Sequence, residues 1–313
     1  MTNTGSALTL ADGVTLTGVV TTNNNTKGIL VLGAGSSVTG GIGGNNAALE
    51  RVTLGAGASS LGGNIYSGAV ALTDQTSILT LQDGAVTGNV GAVGSALEEV
   101  VFNGADNIGD TANAETFTVA NAAANTVITG LATGALKYTD TGTITANGGW
   151  TGDIDFNNKA DTFELDDGAM IDGSVLGTGG VAGTLNFIGD GNVTGNIGTD
   201  AANSPANINI QGDNTKNVTI ANDIFVGNIN FTNGGVLQLS GNLTTPNIDF
   251  GANGGTLEFN GNNTYNLNAV IANGQNDILN VFTTLKSTEA SIGTVKTINI
   301  GQVFRKRRET PEP

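Results

Sequence analysis

Residues 79–91 read Leu-Thr-Leu-Gln-Asp-Gly-Ala-Val-Thr-Gly-Asn-Val-Gly, and this phrase decides the fold because the chain repeats it. Residues 185–198 read Leu-Asn-Phe-Ile-Gly-Asp-Gly-Asn-Val-Thr-Gly-Asn-Ile-Gly, and a looser copy occupies residues 30–43. Each copy contains an apolar-x-apolar triplet, a turn built on Asp or Gly, and a Val-Thr-Gly close. Side chains alternate between the two faces of a strand, so the outer residues of each triplet share one face. The recurring triplet therefore predicts a short β-strand with one buried face.

The distance between equivalent triplets indicates which all-β fold the chain adopts. Leu10, Leu32 and Leu54 lie 22 residues apart, and the same number separates Leu165 from Phe187. A strand-and-turn unit of about 20–23 residues without a helix is typical of a solenoid. A sandwich or barrel would instead show turn signals every ~8–12 residues. The sequence predicts a parallel β-helix whose equivalent apolar side chains form a single inner column. The column comprises Leu10, Leu32, Leu54, Leu81, Phe102, Val119, Ile144, Leu165, Phe187, Ile210, Phe231 and Phe250.

The repeat is less regular over residues 99–162. Residues 106–115 read as a longer loop, and the only Trp, Trp150, is interpreted as an interior plug for a wide turn. Phe187, Phe231 and Phe250 are expected to form an interior aromatic stack. We predict a single β-helix over residues 1–303 and a basic disordered tail at 304–313. That tail is read as a solvated segment, with a cationic binding patch as the alternative.

Composition and charge exclude several classes of function. The 313 residues carry a formal net charge of −16, which disfavours binding to nucleic acid or anionic lipid. The absence of Cys and His removes thiol catalysis, Ser-His-Asp chemistry and the usual transition-metal ligands. No apolar run is long enough for a membrane-spanning helix, and the first residues lack the features of a signal peptide.

Carboxylates are the remaining candidates for chemistry. Asp166, Asp167 and Asp172 form the best cluster, with Asp153 and Asp155 expected one turn away. A glycosidase needs two carboxyl groups roughly 5–9.5 Å apart. Asp is recurrent in the turns, however, and the basic residues that would bind an acidic sugar are scarce, so a structural role is favoured. We therefore predict no enzyme activity and no catalytic, cofactor-binding or metal site. The recurrent Thr-Gly pairs are likewise interpreted as turns rather than as an ice-binding Thr ladder.

Residues 193–203 (Val-Thr-Gly-Asn-Ile-Gly-Thr-Asp-Ala-Ala-Asn) and 227–239 (Gly-Asn-Ile-Asn-Phe-Thr-Asn-Gly-Gly-Val-Leu-Gln-Leu) resemble the rickettsial outer-membrane autotransporter surface antigens. These are the outer membrane protein A/B and surface cell antigen group. The resemblance extends in style over most of residues 30–300. It implies an exported β-helical passenger displayed on the cell surface, with roles in adhesion to host cells and as a surface coat. Against that family, the chain is expected to be a passenger fragment without signal peptide or translocator barrel.

The residues and the resemblance together predict a non-catalytic surface antigen or adhesin of the outer membrane and cell surface. Its expected partners are a host-cell surface protein or glycan and the remainder of a longer autotransporter chain, without nucleic acid or direct membrane insertion. Two alternatives stay open. One is a β-helix enzyme that acts on polysaccharides, and the other is a non-functional remnant of a split gene.

Overall fold

The protein is described here by a computed structural model, which covers residues 5–121 and 124–260. Beyond residue 260 it describes the backbone of the strands Tyr265–Asn273, Asp277–Val281, Ser291–Thr294 and Thr297–Ile300. Within these residues all strand pairs are parallel and no helix occurs. The predicted all-β parallel β-helix is confirmed. None of the described residues forms a helix that could cross a membrane.

Each turn of the solenoid contributes to three parallel sheets, which we name walls A, B and C. Wall A contains Ala7–Leu10, Ile29–Leu32, Arg51–Leu54, Ala69–Leu72, Asn89–Val90, Trp150–Thr151, Ala169–Asp172, Gly191–Val193, Asn217–Ile220, Val236–Leu239, Gly255–Phe259, Asp277–Val281 and Thr297–Ile300. Wall B contains Thr15–Leu16, Ser37–Val38, Gly57–Gly62, Ser77–Gln82, Leu97–Phe102, Ile154–Asp155, Val175–Leu176 and Ile224–Phe225. Wall C contains Ala85–Val86, Asn107–Ile108, Ala124–Ile128, Gly142–Ala146, Thr162–Leu165, Thr184–Phe187, Asn207–Ile210, Asn228–Phe231 and Ser291–Thr294. Ala112–Val119 and Ala132–Tyr138 run through walls A and B, and Leu243–Asp249 and Tyr265–Asn273 run through walls B and C.

The core lies inside the three walls because the strands alternate. In Asn207–Ile210, Ile208 and Ile210 are buried while the middle residue Asn209 faces outward. A single turn cannot bury its apolar face, but turns stacked roughly 4.8 Å apart bury one another's. The resulting apolar cluster is continuous from Leu10 to Phe259.

The predicted single inner column is wrong, since its members divide among the three walls. Leu54 pairs with Leu72 in wall A, whereas Leu81 pairs with Leu61 in wall B. Wall A holds Leu10, Leu32 and Leu54; wall B holds Leu81, Phe102 and Val119; wall C holds Leu165, Phe187, Ile210, Phe231 and Phe250. Ile144 pairs with Phe163, which places it two residues away from the position that matches Leu165. All these side chains still enter one core, so the architecture stands.

The turn length varies more than the predicted 20–23 residues. Paired residues lie 18 apart between Val52 and Val70 and 27 apart between Val193 and Ile220. The loop predicted at 106–115 is wrong, because the strands Asn107–Ile108 and Ala112–Val119 lie there. The proposed division at residue 303 stays a prediction, since residues 301–313, including the predicted basic tail, lie outside the described residues.

Aromatic side chains pack against one another inside the core. Trp150 is fully buried, donates from Nε1 to the carbonyl oxygen of Gly134 over 2.8 Å, and packs edge-on against Phe117 and Phe163. Its predicted role as an interior plug is confirmed. The rings of Phe231 and Phe250 stack with centroids 4.8 Å apart. The expected three-ring stack is not formed, because Ile210 lies between Phe187 and Phe231 in the same ladder.

At two of the Thr-Gly pairs, Thr87-Gly88 and Thr194-Gly195, the Gly is required by close approach of neighbouring turns. A Cβ at Gly88 would collide with the carbonyl oxygen of Gly68, and one at Gly195 with that of Gly173. Their backbones need no left-handed conformation. These two Thr-Gly pairs therefore mark positions where two turns touch through bare backbone.

Candidate interaction surface

Two rows of polar side chains cover the outer surface of wall C, and we call this surface the amide face. The first row comprises Thr143, Thr162, Thr184, Asn207, Asn228 and Asn247. The second row comprises Thr145, Glu164, Asn186, Asn209, Asn230 and Asp249. The residues between them along each strand point inward and are buried, as Ile208 and Ile229 illustrate. Six successive strands thus present two polar positions each, without a register shift.

The second row is a hydrogen-bonded chain that ends on a carboxylate. Asn230 donates from Nδ2 to Oδ1 of Asn209 over 2.9 Å, and Asn209 donates in the same way to Asn186 over 2.8 Å. Asn186 donates to Oε1 of Glu164 over 3.3 Å, while Thr145 donates to Oε2 over 3.1 Å. An ionised carboxylate only accepts hydrogen bonds, so Glu164 is a suitable end point for a chain of donors.

The side chains of the first row are also hydrogen-bonded from one turn to the next, in the same direction. Asn247 donates to Oδ1 of Asn228 over 3.0 Å, and Asn228 donates to Oδ1 of Asn207 over 3.2 Å. An amide has two N–H donors and two lone pairs on its oxygen, and the ladder uses one of each. Asn228 also donates to the carbonyl oxygen of Ala206 over 3.4 Å, and Asn186 is only 7% exposed. Within the two rows only Glu164 and Asp249 are charged, although the protein carries a net charge of −16.

The acidic residues singled out from the sequence do not converge on one site. Asp166 and Asp167 lie at the corner between walls C and A, whereas Asp172 ends a wall A strand and Asp155 ends a wall B strand. Each accepts a hydrogen bond, and all but the bond to Asp166 come from the next turn. The bonds are Asp167 N to Asp166 Oδ1 (2.8 Å), Asp190 N to Asp167 Oδ1 (2.7 Å), Thr194 Oγ1 to Asp172 Oδ1 (2.7 Å), Ser174 N to Asp153 Oδ1 (2.8 Å) and Thr178 N to Asp155 Oδ1 (3.0 Å).

The recurring turn Asp joins one turn of the solenoid to the next. Asp12 accepts from the backbone N–H of Ala34, and Asp83 accepts from that of Ala105, both over 2.9 Å. Backbone N–H groups at the corners leave the sheet ladder and need another acceptor. The carboxylate of the preceding turn supplies it, which supports the structural interpretation of the recurrent acids.

Lys216 forms ion pairs with two of the turn carboxylates, Asp167 and Asp190. Its Nζ lies 2.5 Å from Oδ2 of Asp167 and 3.5 Å from Oδ2 of Asp190, so one side chain spans three turns. The hydrogen bond from Lys216, followed by that from the backbone of Asp190, lowers the pKa of Asp167. A general acid of a glycosidase requires a raised pKa instead. An open cleft of about 490 Å³ is lined by residues 168–170, 190–192 and Asn217, and Asp190 thus belongs both to the cleft and to the ion pairs of Lys216.

Two buried carboxyl groups were not found by sequence reasoning. Asp106 and Asp161 each directly precede a wall C strand, are 0% and 1% exposed, and accept from the backbone N–H of the preceding turn. The partners are Gly84 over 3.0 Å and Gly142 over 2.9 Å. Burial raises the pKa of Asp106 and raises that of Asp161 to about 7. Both follow an Ala and precede Asn or Thr, whereas the recurring turn acids Asp12, Asp83 and Asp190 each precede a Gly. That difference does not by itself predict burial, which the fold decides.

No group of three or more carboxylates within the described residues is placed to hold a metal ion. The carboxylates singled out from the sequence accept hydrogen bonds from neighbouring backbone or side-chain donors, and Asp167 also forms an ion pair with Lys216. The regular feature of the surface is therefore the amide face.

Comparison with known proteins adds a family likeness. A stretch of 142 residues, 43% of this chain, is 34% identical to outer membrane protein A of Rickettsia rickettsii and covers 6% of that protein. A stretch of 81 residues, 23% of this chain, is 48% identical to outer membrane protein A of Rickettsia conorii and covers 4% of that protein. The resemblance to rickettsial outer membrane protein A is confirmed. The chain thus matches only a small part of either relative's length. No protein-family model and no solved structure matches the chain.

Proposed function

We propose that this chain is a surface-exposed passenger module of an autotransporter, which acts as a non-catalytic adhesin or surface antigen. Three observations support the proposal: the parallel β-helix, the rickettsial relatives named for the outer membrane, and the amide face. The amide face carries the argument for binding. It is an array of amide and hydroxyl side chains with only two carboxylates on a strongly acidic protein, so it can approach a partner with little charge repulsion.

The location is tested first. An antibody against the purified chain should label intact cells of the organism that carries the gene, and brief protease treatment of those cells should abolish the label. Absence of the protein from intact and lysed cells would instead support the split-gene remnant. Labelling that requires lysis would contradict display at the surface.

The binding role is tested with purified protein on cultured host cells. We expect saturable binding that is weakened several-fold by Asn209→Lys, which places a long cation in the middle of the amide face. Thr219→Lys is the matched control, because Thr219 is the outward-facing middle residue of the wall A strand Asn217–Ile220. Equal loss in both variants would point to charge rather than the amide face. No binding by the unaltered chain would refute the adhesin role.

The alternative enzyme activity is tested with acidic and neutral glycans. An adhesin leaves every glycan uncut, whereas a β-helix enzyme would release fragments. Cleavage that disappears in the double variant Asp166→Asn, Asp167→Asn would favour the enzyme. The lowered pKa of Asp167 and its contact with Lys216 argue for the uncut result.

A further inference from the structure

Asn-Gly pairs recur at the corners of the solenoid, and four of them lie wholly within the described residues. These pairs begin at Asn103, Asn147, Asn233 and Asn253. In such a pair the backbone nitrogen of the Gly can attack Cγ of the Asn side chain, because the two atoms are held close together and no Cβ shields the nitrogen. The attack needs a side chain that is able to rotate onto the nitrogen, and an N–H that is not bonded elsewhere. The four pairs differ in both respects.

Asn233 meets both requirements. It is exposed at the corner that follows the wall C strand Asn228–Phe231. Among the residues that the structure describes, its side chain takes part in a single, long hydrogen bond, in which its Oδ1 lies 3.5 Å from Nδ2 of Asn253. Within the same residues the backbone N–H of Gly234 donates no hydrogen bond. Gly234 also has a φ of 101°, which Gly adopts without strain.

Asn103 is held in place and provides the internal comparison. It is half-buried at the corner that follows the wall B strand Leu97–Phe102. The backbone N–H groups of Asn103 and Gly104 both donate to the buried carboxyl group of Asp106, that of Asn103 over 3.1 Å. The nitrogen that would attack is therefore occupied, and hydrogen bonds to carboxylates are among the stronger ones in proteins.

Asn253 and Asn147 lie between these extremes. Asn253 is exposed, but its Nδ2 donates to the carbonyl oxygen of Thr232 over 3.2 Å, and this bond must break before the side chain can turn. Asn147 is half-buried after the wall C strand Gly142–Ala146. Both should therefore react more slowly than Asn233.

We propose that Asn233 is a self-modification site, at which the folded chain converts this Asn to aspartate or isoaspartate. The backbone nitrogen of Gly234 loses its proton and bonds to Cγ of Asn233, while the bond from Cγ to Nδ2 breaks and ammonia leaves with that proton. Water then opens the succinimide ring at either of its two carbonyl carbons. Each product carries one new carboxylate, and the isoaspartate form adds a methylene to the main chain.

The modification alters a corner through which neighbouring turns are joined. Thr256 donates its backbone N–H to the carbonyl oxygen of Gly235 over 2.8 Å, and Asn253 donates to that of Thr232. An extra methylene between residues 232 and 235 shifts these two acceptors relative to each other. The conversion also adds a negative charge beside the end of a strand of the amide face.

The test follows all four pairs in one sample of the full 313-residue chain. The native protein is incubated at body temperature and slightly alkaline pH, and the conversion at each position is measured by peptide mass spectrometry with isoaspartate detection. We expect Asn233 to react first and Asn103 to react roughly ten-fold or more slowly, because the bond from Gly104 to Asp106 must break. The same chain unfolded in urea is the matched comparison, since all four pairs are Asn-Gly and should there react at similar rates.

Two variants complete the experiment. Asn233→Gln should abolish the signal from its peptide, because the longer side chain does not form the five-membered ring. Asn103→Gln is the control and should leave the early yield of isoaspartate unchanged. An Asn233 that converts in urea but not in the native protein, an Asn103 that reacts as fast as Asn233 in the native protein, or a signal that survives Asn233→Gln would each overturn the proposal.

Discussion

Asn209 donates a hydrogen bond from its Nδ2 to Oδ1 of Asn186 over 2.8 Å, across two neighbouring turns of wall C. It also accepts one from Asn230 over 2.9 Å, so its side chain takes part in two bonds that join three turns. Each turn of a solenoid contacts only its neighbours, and outward side chains that bond along the stack couple those turns. The amide face is thus part of what holds the turns in register.

Asn209→Ala should lower the free energy of unfolding by about 1–2 kcal/mol, because two hydrogen bonds are lost. Chemical denaturation followed by circular dichroism measures this. Asn45→Ala is the control, since Asn45 is exposed in a turn and its replacement should change stability by less than about 0.5 kcal/mol. Equal effects of the two substitutions would mean that the amide row does not stabilise the stack.

Among the residues that the structure describes, two buried hydroxyl groups have no hydrogen-bond partner, and removing them should stabilise the protein. Ser59 and Thr126 are each 1% exposed, and their Oγ and Oγ1 atoms are unsatisfied. Ser59→Ala and Thr126→Val should each raise the free energy of unfolding by about 1 kcal/mol. Ser36→Ala is the matched control, because Ser36 is equally buried but donates to the carbonyl oxygen of Ala11 over 2.8 Å. That variant should lose stability, and a gain of the same size as in Ser59→Ala would contradict the assignment.

Asp161 should make the stability depend on pH. Burial raises its pKa from 3.8 to about 7, so the fold favours the protonated form. The stabilisation is fully present below about pH 4 and is lost as pH rises through about 7. Each unit by which the pKa is raised corresponds to about 1.4 kcal/mol, so the loss amounts to a few kcal/mol.

Asp161→Asn keeps the acceptor for Gly142 and removes the titration. The difference in unfolding free energy between this variant and the unaltered chain, measured from pH 4 to pH 8, isolates the contribution of Asp161 from the rest of the acidic surface. The variant should be the more stable protein at pH 8, and the difference should shrink towards pH 4. A difference that does not vary with pH would show that Asp161 titrates normally.

Trp150 provides an optical probe of the core, because it is the only Trp and is fully buried. Its fluorescence should be blue-shifted and protected from acrylamide in native buffer, and should shift to the red on unfolding. Trp150→Ala should lower the free energy of unfolding by about 3–5 kcal/mol through the cavity that it leaves. Red-shifted, easily quenched emission from the native protein would contradict the packing of Trp150 against Phe117 and Phe163.

The acidic residues illustrate where sequence reasoning succeeded and where it failed. The recurrence of Asp83 in the same slot as Asp190 indicated a structural role, and the inter-turn hydrogen bonds support that role. Asp161, which directly precedes a wall C strand, is buried. Burial depends on what the neighbouring turns place beside the residue, and that information is not local in the chain. The hydrogen bonds of the amide face could not be predicted from the sequence, since they need the register of six strands.

The sequence by itself determined that this protein is a stack of short parallel strands. The reason is that the apolar-x-apolar triplets and the Asp or Gly turns recur about every 20–23 residues, in a unit that contains no helix. Only the tertiary structure decided that three walls share the core, as Leu54, Leu81 and Leu165 illustrate on walls A, B and C. The physical reason is that every strand follows the same two-residue alternation, whichever wall it joins. Because the corners between strands differ in length, triplets that look equivalent in the sequence fall on different walls. Only the hydrogen-bonded register between turns reveals which residues stack.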